Sequence, residues 1–147
     1  MEIFIVGIII VGLMVYVSTR IKKESKRAYE RETFETEEFT ITKPDEFIIP
    51  IDENSPYVFE ARSRDFGTEE ETYDFYQCRA TVTAKEGIAE FKTYEEQKTE
   101  KDVVFDTFHK IISNGNKIFH LEIFVLPEFK EKYQSGIDEM LNSFAIK

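Results

Sequence analysis

The sequence predicts an α+β domain, an antiparallel sheet packed by helices, preceded by one N-terminal transmembrane helix. Three observations carry this. Residues 3–17 (IFIVGIIIVGLMVYV) are apolar without interruption, whereas the remainder is strongly polar. Residues 39–94 hold several short segments rich in aromatic and β-branched residues, the composition of strands. Residues 104–144 then read as a helix, one long apolar strand and a final helix, so the order is several strands, a helix, a long strand and a helix.

The N-terminal segment is assigned as a span over residues 1–19. As a helix it measures roughly 28 Å, close to the thickness of a bilayer's hydrocarbon core. Ile3, Phe4, Ile5, Val6, Ile8, Ile9, Ile10, Val11, Leu13, Met14, Val15, Tyr16 and Val17 form the lipid-facing anchor. A core helix of a small domain keeps one polar face, and this one has none. A cleavable signal peptide needs a positive leading segment and a small-residue cleavage site. Here only Met1 and Glu2 precede the run, and Ser18-Thr19-Arg20-Ile21-Lys22-Lys23 follows it. Gly7 and Gly12 are five apart, so they make no G-x-x-x-G packing face.

Residues 20–36 read as a basic juxtamembrane helix or tether. Arg20, Lys22, Lys23, Lys26 and Arg27 sit where they can meet anionic head groups, each worth about 1 kcal/mol when well placed. Positive charge stays on the cytoplasmic side of a span. The expected location is therefore the cell membrane, single-pass, with the domain in the cytoplasm; the alternative is extracytoplasmic. The chain carries −10 in total. Residues 1–31 hold six basic and three acidic groups, or +3, which leaves −13 for residues 32–147. A domain of that charge repels phosphates, so no nucleic acid partner is expected. The single cysteine excludes an internal disulfide framework.

Residues 37–147 are expected to form one soluble domain, with 14 Phe and 7 Tyr in the chain to supply its core. Residues 39–42 alternate as a strand and stop at Lys43-Pro44-Asp45. Residues 47–49 and 57–62 read as further strands, 65–71 as a polar loop, and 73–83 as a longer strand. After a turn at Lys85-Glu86-Gly87, residues 88–94 are expected to pair back. Thr99-Glu100-Lys101-Asp102 resembles a helix start, and Val104, Phe105, Phe108, Ile111 and Ile112 recur at helical spacing. Asn114-Gly115-Asn116 then supplies a left-handed cap. Residues 117–126 are apolar on both faces except at His120 and Glu122 and should form a central strand. Pro127 opens a final helix with Phe129, Tyr133, Ile137, Met140, Leu141 and Phe144 on its buried stripe.

The apolar strand entering Leu126-Pro127-Glu128-Phe129, and the helix closing on Met140-Leu141-Asn142-Ser143-Phe144, carry a resemblance. Together with Phe39-Thr40-Ile41-Thr42-Lys43-Pro44-Asp45-Glu46-Phe47 they resemble domains of the Mog1/PsbP-like superfamily over about a quarter of the chain. Phe47 stands where many members carry Trp, and this chain has no Trp. The resemblance implies an α/β/α sandwich around an antiparallel sheet and a non-enzymatic protein that binds a larger partner.

No catalytic set emerges. His120-Leu121-Glu122 matches the H-x-E of zinc deaminases, but their later cysteine pair is missing. On a strand the two share a face and read as a hydrogen-bonded or solvated pair. His109, with Asp106 and Asp102, reads as a charge cluster on a helix surface rather than a metal site. Asp65-Phe66-Gly67 lacks every other kinase element, and Glu69-Glu70-Glu71 lacks calcium-loop spacing. Cys78 reads as a buried, inert thiol. No cofactor is expected. The function that follows is a membrane-anchored, non-catalytic protein-interaction domain whose partners are the bilayer and an unknown protein. Two alternatives stand beside it. One is a ligand-binding or enzymatic domain with a pocket between sheet and helix, holding His120, Glu122 and Tyr73. The other is an accessory subunit of a membrane complex held by its transmembrane helix.

Overall fold

The computed structural model describes residues 2–51, 54–67 and 75–147. The long N-terminal helix is α1 (Glu2–Ala28), and strands β1 (Glu32–Glu35), β2 (Phe39–Lys43), β3 (Phe47–Ile48), β4 (Phe59–Ser63) and β5 (Cys78–Glu86) follow. Next come β6 (Lys92–Glu100), β7 (Val103–Asn114) and β8 (Lys117–Val125). A 3-10 turn at Pro127–Phe129, α2 (Lys130–Ser143) and β9 (Ala145–Ile146) close the chain. All strand pairs are antiparallel, in a three-stranded sheet β1-β2-β9 and a six-stranded sheet β3-β4-β5-β8-β7-β6.

Among the described residues the fold is a sheet-dominated α+β arrangement with two helices. One face of the large sheet carries Phe59, Ala61, Cys78, Ala80, Val82, Phe119, Leu121, Ile123, Val125, Phe108 and Ile112, alternate residues on their strands. Against it pack Tyr133, Ile137, Met140 and Phe144 from the C-terminal segment, and Phe39 and Ile41 from β2. The long strand over residues 117–126 is central, between β5 and β7, as its two-faced apolarity required. Pro127 opens a 3-10 turn that feeds α2; of the predicted stripe Tyr133, Ile137, Met140 and Phe144 are buried, and Phe129 and Leu141 are partly buried.

The expected helix over residues 99–112 is instead the β6–β7 hairpin. Its turn residues, Lys101 and Asp102, both have positive φ (49° and 64°), as a two-residue hairpin turn demands. No glycine marks that turn, and Thr99-Glu100-Lys101-Asp102 mimics a helix N-terminus. The apolar residues of β7 sit on both faces of a strand, with Phe108 and Ile112 on one and Phe105 and Ile111 on the other. Such a strand reproduces helical spacing by chance. Gly115 does take a positive φ (62°), but it turns β7 into β8 rather than capping a helix.

Residues 88–94 were expected to pair with the preceding strand, but β6 joins β7 and β5 lies between β4 and β8. With residues 99–112 in strands, the second covering helix of an α/β/α sandwich is missing among the described residues. The charged stretch over residues 20–36 is helical only to Ala28; Glu32–Glu35 pairs with β2 and belongs to the small sheet.

The side chains of Glu2, Phe4 and residues 17–27 lie outside the described set. Among the described residues no helix is long and apolar enough to cross a membrane.

The exit of α1 is bolted to the domain by a fully buried lysine. Lys43 Nζ donates to the carbonyls of Ala28 (3.1 Å), Phe47 (2.7 Å) and Glu30. Burial lowers its pKa, and Glu32, Asp45 and Glu30 oppose that shift. Glu46 N donates to Tyr29 O at 2.7 Å and Arg31 N to Asp45 Oδ1 at 2.8 Å. Lys43→Ala leaves three carbonyls without their donor and is expected to cost about 2–4 kcal/mol in a urea unfolding series. Lys85→Ala, at an exposed position, should stay within about 0.5 kcal/mol of the parent.

Candidate functional site

The face of the six-stranded sheet turned away from α2 carries a dense set of ionisable groups. Because side chains alternate, Glu60 and Arg62 of β4 share it with Arg79 and Thr83 of β5. His120, Glu122 and Phe124 of β8, Phe105, Thr107 and His109 of β7, and Tyr94, Glu96 and Lys98 of β6 complete it. No helix covers this face among the described residues, and it closes over itself with its own side chains.

Two networks occupy it. In the first, buried Glu60 receives Arg79 Nε at 2.7 Å and Arg62 Nε and Nη2 at 3.2 Å each. Arg62 also lies over the Tyr76 ring. Beside it a recess of about 280 Å³ is lined by Arg62, Phe75, Tyr76, Arg79, Phe105 and Phe124, with Glu100 at its rim.

The second network is centred on His109, which is 1% exposed. The Tyr94 ring stacks on it at 4.3 Å between centroids and 6° between planes. Register sets His109 opposite Glu122, and His120 lies two residues along the same strand face. His109 Nδ1 is 2.8 Å from His120 Nε2 and 3.3 Å from Glu122 Oε2. His109 Nε2 is 2.9 Å from Thr107 Oγ1 and 3.2 Å from Glu96 Oε1. The Thr107 hydroxyl donates its proton to Glu96 O at 2.9 Å, so it must accept from the imidazole. His109 therefore carries its proton on Nε2, and its bare Nδ1 accepts from the Nε2–H of His120. Lys98 Nζ reaches Glu122 Oε2 at 2.7 Å.

The residues singled out in the sequence fare differently. His120 and Glu122 do share a face, but it is the face opposite α2, not a pocket between sheet and helix. His109 is a buried strand residue, not part of a helix surface, and Asp106 projects from the other side of β7 toward Gln97 (3.2 Å). Asp102 is spent in the hairpin turn. Cys78 is fully buried, and burial pushes its thiol pKa up, so the thiolate is suppressed. Phe66 stacks on Tyr76 at 4.5 Å where the D-F-G triplet occurs. Glu69, Glu70, Glu71 and Tyr73 lie outside the described residues. In α1, Ile3, Ile5, Val6, Ile8, Ile9, Ile10, Val11, Leu13, Met14, Val15 and Tyr16 are each more than half exposed. The side chains of Phe4, Val17, Arg20, Lys22, Lys23, Lys26 and Arg27 lie outside the described set.

No protein family and no curated sequence matches the chain. Among solved structures the fold is similar to a crystal structure from Bacteroides thetaiotaomicron VPI-5482, at 13% identity and a TM-score of 0.49. That match covers 74% of this chain and 45% of the other, so the chain spans less than half of that protein's length. It is also similar to the solution structure of cyanobacterial PsbP (CyanoP) from Synechocystis sp. PCC 6803, at 12% identity and a TM-score of 0.45. There 80% of this chain and 92% of the other are covered.

Burial lowers the pKa of both histidines. Glu122 and Glu96 oppose the shift on each, while Lys98 adds to it on both, His120 on His109, and Lys85 on His120. In the window between the lowered folded values and about 6.5, the unfolded chain binds protons that the folded chain does not. Stability is therefore fully present above about pH 6.5 and falls with acidification below it. Thermal midpoints measured from pH 7.5 to 5.5 should decline, and the decline should flatten when His109 and His120 are both replaced by Gln.

Proposed function

We propose that the chain is a membrane-anchored, non-catalytic domain that binds a protein partner through the uncovered face of its large sheet. One observation carries the anchoring. The described apolar side chains of the 27-residue α1 are exposed without a polar side, and an apolar surface of that extent is what lipid covers. The basic flank at Arg20, Lys22, Lys23, Lys26 and Arg27 supports a cytoplasmic domain. The fixed Arg62, Glu60 and Arg79 array supports a protein partner, since paired charges held in place give an interface its register. The Mog1/PsbP-like assignment belongs to this reading. It rests on the strand that enters Pro127, the helix that ends at Ser143-Phe144, and the β2 segment against which Phe144 packs.

Two measurements test the proposal. The full chain should float with liposomes and resist alkaline extraction, whereas Ile8→Arg/Ile10→Arg/Leu13→Arg should be extracted. Each arginine at the centre of a span costs about 2.5–3.5 kcal/mol. Recovery of the parent chain in the soluble fraction would refute the anchor, and digestion of the domain by protease outside intact cells would reverse the orientation. A photo-crosslinker at Thr83, exposed on the open sheet face, should capture a membrane-associated protein that one at Asp138 on α2 does not. If exchange of residues 1–19 for an unrelated span abolishes capture, the chain is instead a subunit held through its helix.

A further inference from the structure

The geometry points to a binding site for a divalent transition-metal ion formed by His109 Nδ1, His120 Nε2 and Glu122 Oε2. This is independent of the anchoring proposal. The three ligand atoms lie within 4.8 Å of one another. In a tetrahedral site with bonds of about 2.0–2.1 Å, ligand atoms stand about 3.3 Å apart. His109 Nδ1 and Glu122 Oε2 are already at 3.3 Å, and the two ring nitrogens at 2.8 Å need to part by about half an ångström.

The hydrogen-bond chain makes a second, separate argument. With its proton fixed on Nε2 by Thr107, His109 aims a bare Nδ1 lone pair at the region that the Glu122 carboxylate also faces. Two acceptors converging at that distance repel unless a positive charge lies between or beside them. At present the Nε2–H of His120 supplies it to Nδ1, and Lys98 supplies it to Glu122 from the flank. A metal ion would supply it from the centre. Glu96 Oε1 at 3.2 Å from His109 Nε2 is the outer carboxylate that commonly orients a metal-bound imidazole and raises its basicity.

Entry of the ion replaces the single hydrogen bond between the two rings. His120 changes tautomer, its proton leaving Nε2 and Nδ1 taking one up, so neutral His120 loses no net proton. Lys98 gives up Glu122 Oε2 and keeps Glu96, whose carboxylate is 3.7 Å away. Both imidazoles are held neutral by burial, the state a ligand requires. Two imidazoles and one carboxylate suit Zn²⁺, Ni²⁺ or Cu²⁺ in preference to Mg²⁺ or Ca²⁺. Three protein ligands leave a fourth position open toward the uncovered face.

The test uses the full, untagged chain in detergent micelles, titrated with Zn²⁺ against a chelating dye at pH 7.5. One Zn²⁺ per chain is expected, with affinity at least tenfold weaker in His120→Gln and in Glu122→Gln, and stronger in Lys98→Met. His120 and Glu122 are only partly buried, and circular dichroism of each variant verifies the fold. In the parent chain the imidazole ¹⁵N resonances of both His109 and His120 should shift together, which does not depend on any variant folding. Absence of saturable binding, or binding with neither imidazole perturbed, overturns the site. So does unchanged affinity in folded His120→Gln and Glu122→Gln.

Discussion

The ammonium group of Lys43 is the constraint around which the domain is arranged. A buried cation must be met by acceptors, and this one draws on three stretches of backbone: the end of α1, the connection after it, and β3. One atom satisfying three carbonyls fixes where those stretches lie relative to one another. Phe47, whose carbonyl is one of the three, packs edge-on against Tyr133 at 5.7 Å. The seat of α2 thus inherits the same constraint. Gly136 lets the helix approach this point closely, since a Cβ there would stand 3.3 Å from the Pro44 ring.

The two faces of the large sheet solve the burial problem in different ways. Toward α2 the side chains are aliphatic and aromatic, and burial alone holds the layers together. On the other face polar groups are buried among themselves. His109 is sealed by Tyr94, Glu60 is neutralised by two guanidinium groups, and Phe105 packs edge-on between Phe75 (5.3 Å) and Phe124 (5.9 Å). Every one of these groups depends on strand register, so a slip of one residue would dismantle the face. That dependence ties the chemistry of the site to the β6–β7 and β7–β8 turns rather than to any local motif.

The same dependence explains what could be read from the sequence. The strand over 117–126 and the final helix were legible because their apolar patterns are long and their ends are marked by Gly115 and Pro127. The pairing of His120 with Glu122 on one face followed from strand periodicity alone. His109 could not be added, because residues 99–112 carry a helix-like start and a spacing that fits both periods. The usable signal was the Gly115-Asn116 turn between two apolar runs, since a two-residue hairpin closed there places His109 directly opposite Glu122. The hairpin at Lys101-Asp102 left no such mark. Neither residue is a glycine, and only their dihedrals reveal the turn.

Strand β6 ends the large sheet, so one row of its amides and carbonyls has no neighbouring strand within it. Its sequence, KTYEEQKTE, is mostly exposed and charged at five of nine positions. An edge of that length is a template for pairing with a second chain, and charge along it is how proteins discourage such growth. In the parallel, in-register stacking of a fibril, Glu95, Glu96 and Glu100 of one copy would face the same carboxylates of the next, and Lys92 and Lys98 the same ammonium groups. The edge is thereby protected against fibril-like stacking, and this protection weakens as salt screens the carboxylates.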